Sequence, residues 1–264
     1  MNRVHVVMEK NQCVPNLKVL GVNVDAIQIP EVISHMKDWI QNRDNGRYIT
    51  VTGMHGVMEA QSDASFKNVL NAASLVVPDG MPLVWLLRRN GHSTVKRRVY
   101  GPELMETFCR ETGSEYRHYF YGGARDVPER LAQTLHRKFG LHVAGTYSPP
   151  FRSLTQVEDD DVLERINQAR PDVLWVGIGC PKQERWMFEH KDQLHVPVIV
   201  GVGAAFDFLA GLKPSAPRWM QENGLEWLFR LSSEPRRLWH RYLVYGSKFV
   251  FYVFLEQAAL KRFD

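Results

Sequence analysis

Apolar residues in this chain fall into short runs, separated by stretches in which they recur every three or four positions. Stretches of strand type lie at 48–52, 75–77, 116–121, 142–146, 173–178 and 196–202, rich in β-branched and aromatic residues, and the one at 173–178 is an uninterrupted apolar run. Runs of this length suit parallel strands buried on both faces. A further short strand is expected at 19–24. The spacing between the runs is helical. It predicts an amphipathic helix over 30–41 with Val32, Ile33, Met36, Trp39 and Ile40 inward, and a helix over 57–73 broken near Ser62-Asp63. Helices also follow at 81–89, 101–109 and 128–139, and Ser153-x-x-Gln156 reads as a capping box for one over 157–169. Strand and helix alternate from about 19 to 211. This implies an α/β, Rossmann-like, mainly parallel sheet with helices on both faces. Gly211-Leu-Lys-Pro-Ser-Ala-Pro interrupts the alternation, and only helical spacing follows. The expected division is an α/β body over 1–211 and a helical C-terminal appendage over 212–264, in which Pro235 starts a helix running to about 257.

Charge sharpens that division. The net charge is +4. Residues 212–264 hold nine Lys or Arg and five Asp or Glu, so the appendage carries the whole excess and the body is neutral. It also holds 11 of the 29 aromatic residues. A basic, aromatic appendage suits an anionic membrane surface rather than nucleic acid. The longest charge-free segment in its helix, 249–255, is far shorter than the roughly 20 residues that span a bilayer. Residues 1–15 have no apolar core of signal-peptide length. Cys13, Cys109 and Cys180 are scattered without a CxxC pair, as in reducing compartments. A cytoplasmic protein, peripheral on the inner face of the membrane, is expected, with homo-oligomerisation open.

The candidate chemistry sits at strand ends. Residues 173–184, Val-Leu-Trp-Val-Gly-Ile-Gly-Cys-Pro-Lys-Gln-Glu, join a strand through Gly177 and Gly179 to a helix with Pro181, Lys182, Gln183 and Glu184 in its first turn. Free N–H groups and the helix dipole suit such a place to anions, and a tight turn with a solvated polar cluster is the plainer alternative. Gly122-Gly123 is a second such turn. Thr52 and Gly203 end strands, and Asp207 lies in the helix after the last one. Asp79, in Pro78-Asp79-Gly80, precedes a helix; local pattern favours an N-cap, and a base at the ligand-binding edge is the alternative. The triplet Lys96-Arg97-Arg98 reads locally as solvated, as does the acid run 158–161, so no metal site is expected.

Taken together, these pieces resemble the WecG/TagA/CpsF family of bacterial glycosyltransferases. The resemblance rests on Thr52, Pro78-Asp79-Gly80, Arg98-Val-Tyr-Gly101, Gly122-Gly123, residues 176–184, Val200-Gly-Val-Gly203 with Phe206-Asp207, Ala216-Pro217-x-Trp219, Gly224-Leu-Glu-Trp227 with Arg230, and arginines 236, 237 and 241. It implies inverting transfer of a sugar, of N-acetylmannosamine or glucose type, from a UDP-sugar to a polyprenyl-diphosphate-linked acceptor in cell-surface polysaccharide or exopolysaccharide synthesis. It also implies Asp79 as base, substrate contacts from Thr52, Arg98 and Gln183, and closure of the appendage over the nucleotide. Two positions depart from the family pattern. Met54 stands where Asn is usual, and Ser215 where Arg is usual. With the only close acid run, 158–161, read as a solvated helix face, Arg98, Arg230, Arg237 and Arg241 are expected to take the place of a metal ion beside the diphosphate, so no cofactor is expected. Two other classes are open on local pattern alone. One is a nicotinamide-dependent oxidoreductase, suggested by Gly177-x-Gly179 although Lys182 stands where a third glycine belongs; the other is a non-catalytic membrane-peripheral scaffold.

Overall fold

The computed structural model describes residues 14–217, 219–220 and 224–263, apart from the Arg237 side chain. The first 13 residues, with the start of the N-terminal stretch and Cys13, lie outside the described residues.

The described chain opens with an antiparallel hairpin, β1 (Asn16–Val19) and β2 (Val22–Asp25). The single strand expected over 19–24 is therefore two. Leu20 and Gly21, at φ 48° and 81°, make the tight turn between them. Next come α1 (Ile29–Asn42), β3 (Arg47–Thr52), α2 (Met54–Ser62), α3 (Ala64–Asn71) and β4 (Leu75–Pro78). The break at Ser62-Asp63 is real: the Asp63 carboxylate caps α3 by accepting from the Phe66 N–H at 3.1 Å. They are followed by α4 (Met81–Arg89), α5 (Gly101–Thr112), β5 (Arg117–Gly122), α6 (Val127–Phe139), β6 (His142–Tyr147), α7 (Gln156–Ala169), β7 (Val173–Gly177), α8 (Lys182–His190), β8 (Val198–Gly201) and α9 (Ala205–Leu209).

Strands β3 to β8 form one parallel sheet in the order β4-β3-β8-β7-β5-β6. Alternate residues of each strand serve opposite faces. Ile49, Val173, Trp175, Val198 and Val200 pack with α1, α5 and α6. Tyr48, Leu174, Val176 and Ile199 pack with residues of α7 and α8. Burial on both faces explains the apolar runs of β4, β7 and β8. The chain leaves β3 for β4 on one side, and the strand on its other side, β8, is reached last. Reversals of this kind open a crevice at the carboxyl ends of the strands.

Three local expectations are corrected. Thr155 and Glu158 form the capping box of α7, not Ser153 and Gln156: the Thr155 hydroxyl accepts from the Glu158 N–H and the Glu158 carboxylate accepts from the Thr155 N–H. Thr155 is the residue with extended backbone immediately before the helix, which is the position a cap requires. Pro181 stands at the N-cap of α8 after a cis Cys180–Pro181 bond, so the helix starts at Lys182. The acid run of α7 is not wholly solvated, because Asp159 accepts from Trp186 Nε1 at 3.1 Å and pairs with His190 Nε2 at 3.0 Å.

After α9 the described elements are helical, as the spacing predicted: α10 (Glu226–Ser233), α11 (Pro235–Trp239), a π-helical stretch His240–Val244 and α12 (Tyr245–Gln257). The last three follow one another without a gap from 235 to 257. They lie against the body. Phe249 is buried in a cluster with Val57 and Leu83, Glu256 Oε2 accepts from the Leu20 N–H at 3.3 Å, and Lys213 bridges Asp207 and Glu234 at 3.0 Å each. No helix among the described residues is long and apolar enough to cross a membrane.

Candidate active site

The carboxyl ends of β3 and β4 and the start of the appendage enclose a cavity of about 810 Å³. Asp79 is placed there by the ladder itself. Thr52 pairs with Pro78, and the Asp79 N–H donates to the Thr52 carbonyl at 2.8 Å. Gly53 leaves room for this approach, since a Cβ on it would come within 2.6 Å of the Asp79 carbonyl oxygen. Asp79 does not cap α4. The N-cap is Gly80, at φ 127°, and no side chain caps the helix. The Asp79 carboxylate turns into the cavity instead, and its Oδ1 has no hydrogen-bond partner.

Arg98 reaches the same point because the Val99 N–H donates to the Pro78 carbonyl at 2.8 Å. Its Nη1 lies 3.7 Å from Asp79 Oδ1, its Nη2 is paired with Glu226 Oε2, and its guanidinium stacks 4.2 Å above the Tyr100 ring. The last of the basic triplet is therefore a site residue, while Lys96 and Arg97 are exposed as expected. Glu226, 5% exposed at the start of α10, also faces Arg230 Nη1 at 3.9 Å. Arg241, from the π-helical stretch, completes the positive lining. Burial raises the pKa of Asp79; Arg98 opposes the rise and Glu226 adds to it. The result is a carboxylate that is a stronger base than a solvated one yet has a guanidinium partner. His55, beside it in the lining, is stacked on Tyr245 at 5.5 Å and is pushed down to about 3 by burial and by Arg241 and His240. It is therefore neutral near pH 7, and its 3.7 Å approach to Glu59 is no ion pair.

The other predicted residues form a second group, at the ends of β5, β7 and β8. Gly122 and Gly177 bring two strands together: the Gly123 N–H donates to the Gly177 carbonyl at 2.9 Å, and a Cβ on Gly122 would come within 2.5 Å of the Gly177 carbonyl carbon. Gln183, 3% exposed, accepts from the Gly179 N–H at 3.2 Å and donates to Glu184 Oε1 at 2.9 Å. One donor of the expected anion cradle is thus taken by a side chain. Gln183 also lies 3.6 Å from where a Cβ on Gly203 would be. Glu184 is buried and raised in pKa by that burial, and Lys182 is exposed. Asp207 belongs to the Lys213 bridge. Thr52 is 3% exposed, with its hydroxyl 3.1 Å from that of Thr50. Arg241 connects the groups electrostatically, acting on Asp79 and His55 on one side and on Cys180 and Glu184 on the other. Arg237 is on α11, but its side chain lies outside the described residues.

Glu226, His55, Met54 and Tyr242 line the cavity without having been marked as site residues. Glu226 had a signal as the acid within Gly224-Leu-Glu-Trp227, four positions before Arg230, and Met54 had one as the residue standing where Asn is usual. Among the described residues, no group of three or more His, Cys, Asp or Glu side chains is arranged to hold a metal ion.

Comparison with known proteins agrees with this architecture. The family model described as Glycosyl transferase WecG/TagA/CpsF family matches residues 17–263. Similar curated proteins include the N-acetylglucosaminyldiphosphoundecaprenol N-acetyl-beta-D-mannosaminyltransferases of Staphylococcus aureus strains MW2, NCTC 8325 / PS 47 and COL. Each is 26% identical over 232 residues, covering 88% of this chain and 90% of the relative.

Proposed function

The chain belongs to the WecG/TagA/CpsF family of glycosyltransferases, and from that premise we propose that it transfers a sugar of N-acetylmannosamine type from a UDP-sugar to a polyprenyl-diphosphate-linked acceptor, with inversion, in cell-surface polysaccharide synthesis. The observation that carries the reading is Asp79: a carboxylate raised in pKa by burial, paired with Arg98 at 3.7 Å, in a cavity that Arg230 and Arg241 also line. Asp79 takes the proton from the acceptor hydroxyl as that oxygen bonds to the anomeric carbon. The bond from the anomeric carbon to the UDP oxygen breaks on the opposite face, and UDP leaves with the electron pair. A positioned base contributes about 10² to 10⁴-fold to such a step. The arginines stabilise the departing diphosphate, so transfer proceeds without a metal ion.

Residues 212–264 act in this reading as an appendage with two tasks. They supply Arg230 and Arg241 to the site, and they dock the protein on an anionic membrane. Exposed Trp239 and Leu260, with exposed Arg236, Lys248, Lys261 and Arg262, give the apolar and basic contacts such a surface needs. The protein is then peripheral, and its lipid-linked substrate is met at the bilayer. A glucose-type donor is the second reading, because the Met54 thioether in the cavity lining supplies no amide. Mass analysis of product formed from a panel of UDP-sugars and a lipid-diphosphate-linked N-acetylglucosamine, with excess EDTA present, tests the proposal. An added N-acetylhexosamine supports it; an added hexose selects the second reading; activity that needs magnesium or manganese overturns the metal-independent step.

A further inference from the structure

The cavity that holds Asp79 is polar only at one end. From Leu243 onward its wall is a single stripe of the appendage helix, Leu243, Ser247, Val250, Phe251 and Phe254, recurring at helical spacing. From 243 to 254 the stripe is about 16 Å long. Ser247 spends its hydroxyl on the Leu243 carbonyl at 2.7 Å, so it adds no free polar group to the wall. Met81 and Pro82, at the start of α4, line the same cavity. Val250, Phe251 and Phe254 are 67%, 56% and 61% exposed, so large apolar side chains next to a reaction centre have no cover within the described fold.

We infer that this stripe is a subsite for the first isoprene units of the acceptor, separate from the contact the appendage makes with the bilayer. The inference rests on the reading under Proposed function. Three observations select one prenyl chain as the occupant. The stripe lines the same cavity as Asp79, so an acceptor with its sugar at Asp79 continues onto the stripe. The two kinds of lining, a carboxylate with polar neighbours and an apolar stripe, match the two parts of the acceptor, its sugar diphosphate head and its prenyl chain. Met81 and Pro82 add apolar surface to the same cavity, and a stripe about 16 Å long matches the extended length of a few isoprene units. The subsite makes the lipid part of the recognised substrate, setting the acceptor's register before the proton moves.

The test is calorimetric titration of the full chain, without detergent or vesicles, with C5, C10 and C15 prenyl diphosphates below their micelle concentrations. The head group is constant, so any gain comes from the chain. Affinity is expected to rise by roughly tenfold or more from C5 to C15. Val250→Asn and Phe254→Asn, both at exposed positions, should remove the gain and leave C5 binding unchanged. Equal affinity for C5 and C15 overturns the inference. So does a gain that survives both substitutions, or substitutions that abolish pelleting with anionic vesicles while the gain persists, which would assign the stripe to the bilayer. Transfer to a C15-linked acceptor distinguishes the two readings. Turnover without a chain-length gain refutes the subsite, and a gain without turnover refutes the proposed function.

Discussion

The glycine turns at β5, β7 and β8 and the Asp79 cavity at β3 and β4 lie at the same edge of one sheet but are built differently. The turns are local. Their spacing, their close backbone approach and the Gln183 bond to Gly179 all arise within a few residues or between neighbouring strands. The cavity is assembled from afar: Arg98 to Glu226 spans 128 positions of chain. The turns are rich in recognisable pattern, and Gln183 ties their backbone to Glu184, whose Oε2 has no hydrogen-bond partner. The cavity is poor in pattern but gathers three arginines around a carboxylate whose Oδ1 faces Arg98 at 3.7 Å. Charge gathered around a carboxylate at the ligand-binding edge marks the reacting region better than motif density does.

If the cavity is where chemistry occurs, Asp79→Asn should have the largest effect. It keeps the volume and removes the base, and transfer should fall by about 10²-fold or more with the melting curve unchanged. Steady-state kinetics on a soluble acceptor measures this, and turnover within threefold of the parent would break the contrast. The turns should respond in the opposite way. Gly122→Ala puts a side chain at φ 131° with its Cβ 2.5 Å from the Gly177 carbonyl carbon, so it should cost roughly 2–4 kcal/mol of stability in urea unfolding. Surviving molecules should retain most of their turnover. Full loss of turnover in a stably folded Gly122→Ala protein would show that the turns hold substrate directly.

Asp25, remote from the chemistry, provides a control for burial. Its Oδ2 accepts from the N–H of Val76 on edge strand β4 at 2.7 Å, and burial pushes it up to about 6 from 3.8. The folded state therefore holds this proton to higher pH than the unfolded chain does. Its contribution to stability is greatest below pH ~4, declines as pH rises to ~6 and is flat above, a span of at most about 3 kcal/mol. Asp25→Asn retains an acceptor for Val76 and should flatten that decline, raising Tm at pH 7.5 and leaving it unchanged at pH 4 in a thermal scan. The smallest effect belongs to Glu226→Gln. Removing a negative neighbour eases ionisation of Asp79, so the acidic limb of the kcat/KM profile should move to lower pH by a fraction of a unit. A shift upward would mean that Glu226, rather than Asp79, sets the limb.

Much of the fold was legible because strands buried on both faces have to be apolar throughout. The helix break at Asp63 was legible because a cap is a local bond. Local reasoning was less reliable where the competition was also local. Ser153 and Thr155 both head plausible capping boxes, and backbone geometry selects Thr155. Asp79 looked like a cap, but Gly80 takes the N-cap and frees the carboxylate.

The sequence by itself determined the parallel sheet, the placement of Asp79 at a strand end and the concentration of basic and aromatic residues after Gly211. These follow from side-chain polarity and spacing, which act over a few residues. Tertiary structure alone decided that Arg98, Glu226 and Arg230 form one ion-paired chain, and that Gln183 turns inward to hold a loop. It also decided that one stripe of the last helix faces the cavity. Coulomb and hydrogen-bond partners are set by distance through space, and chain separation carries almost no information about that distance.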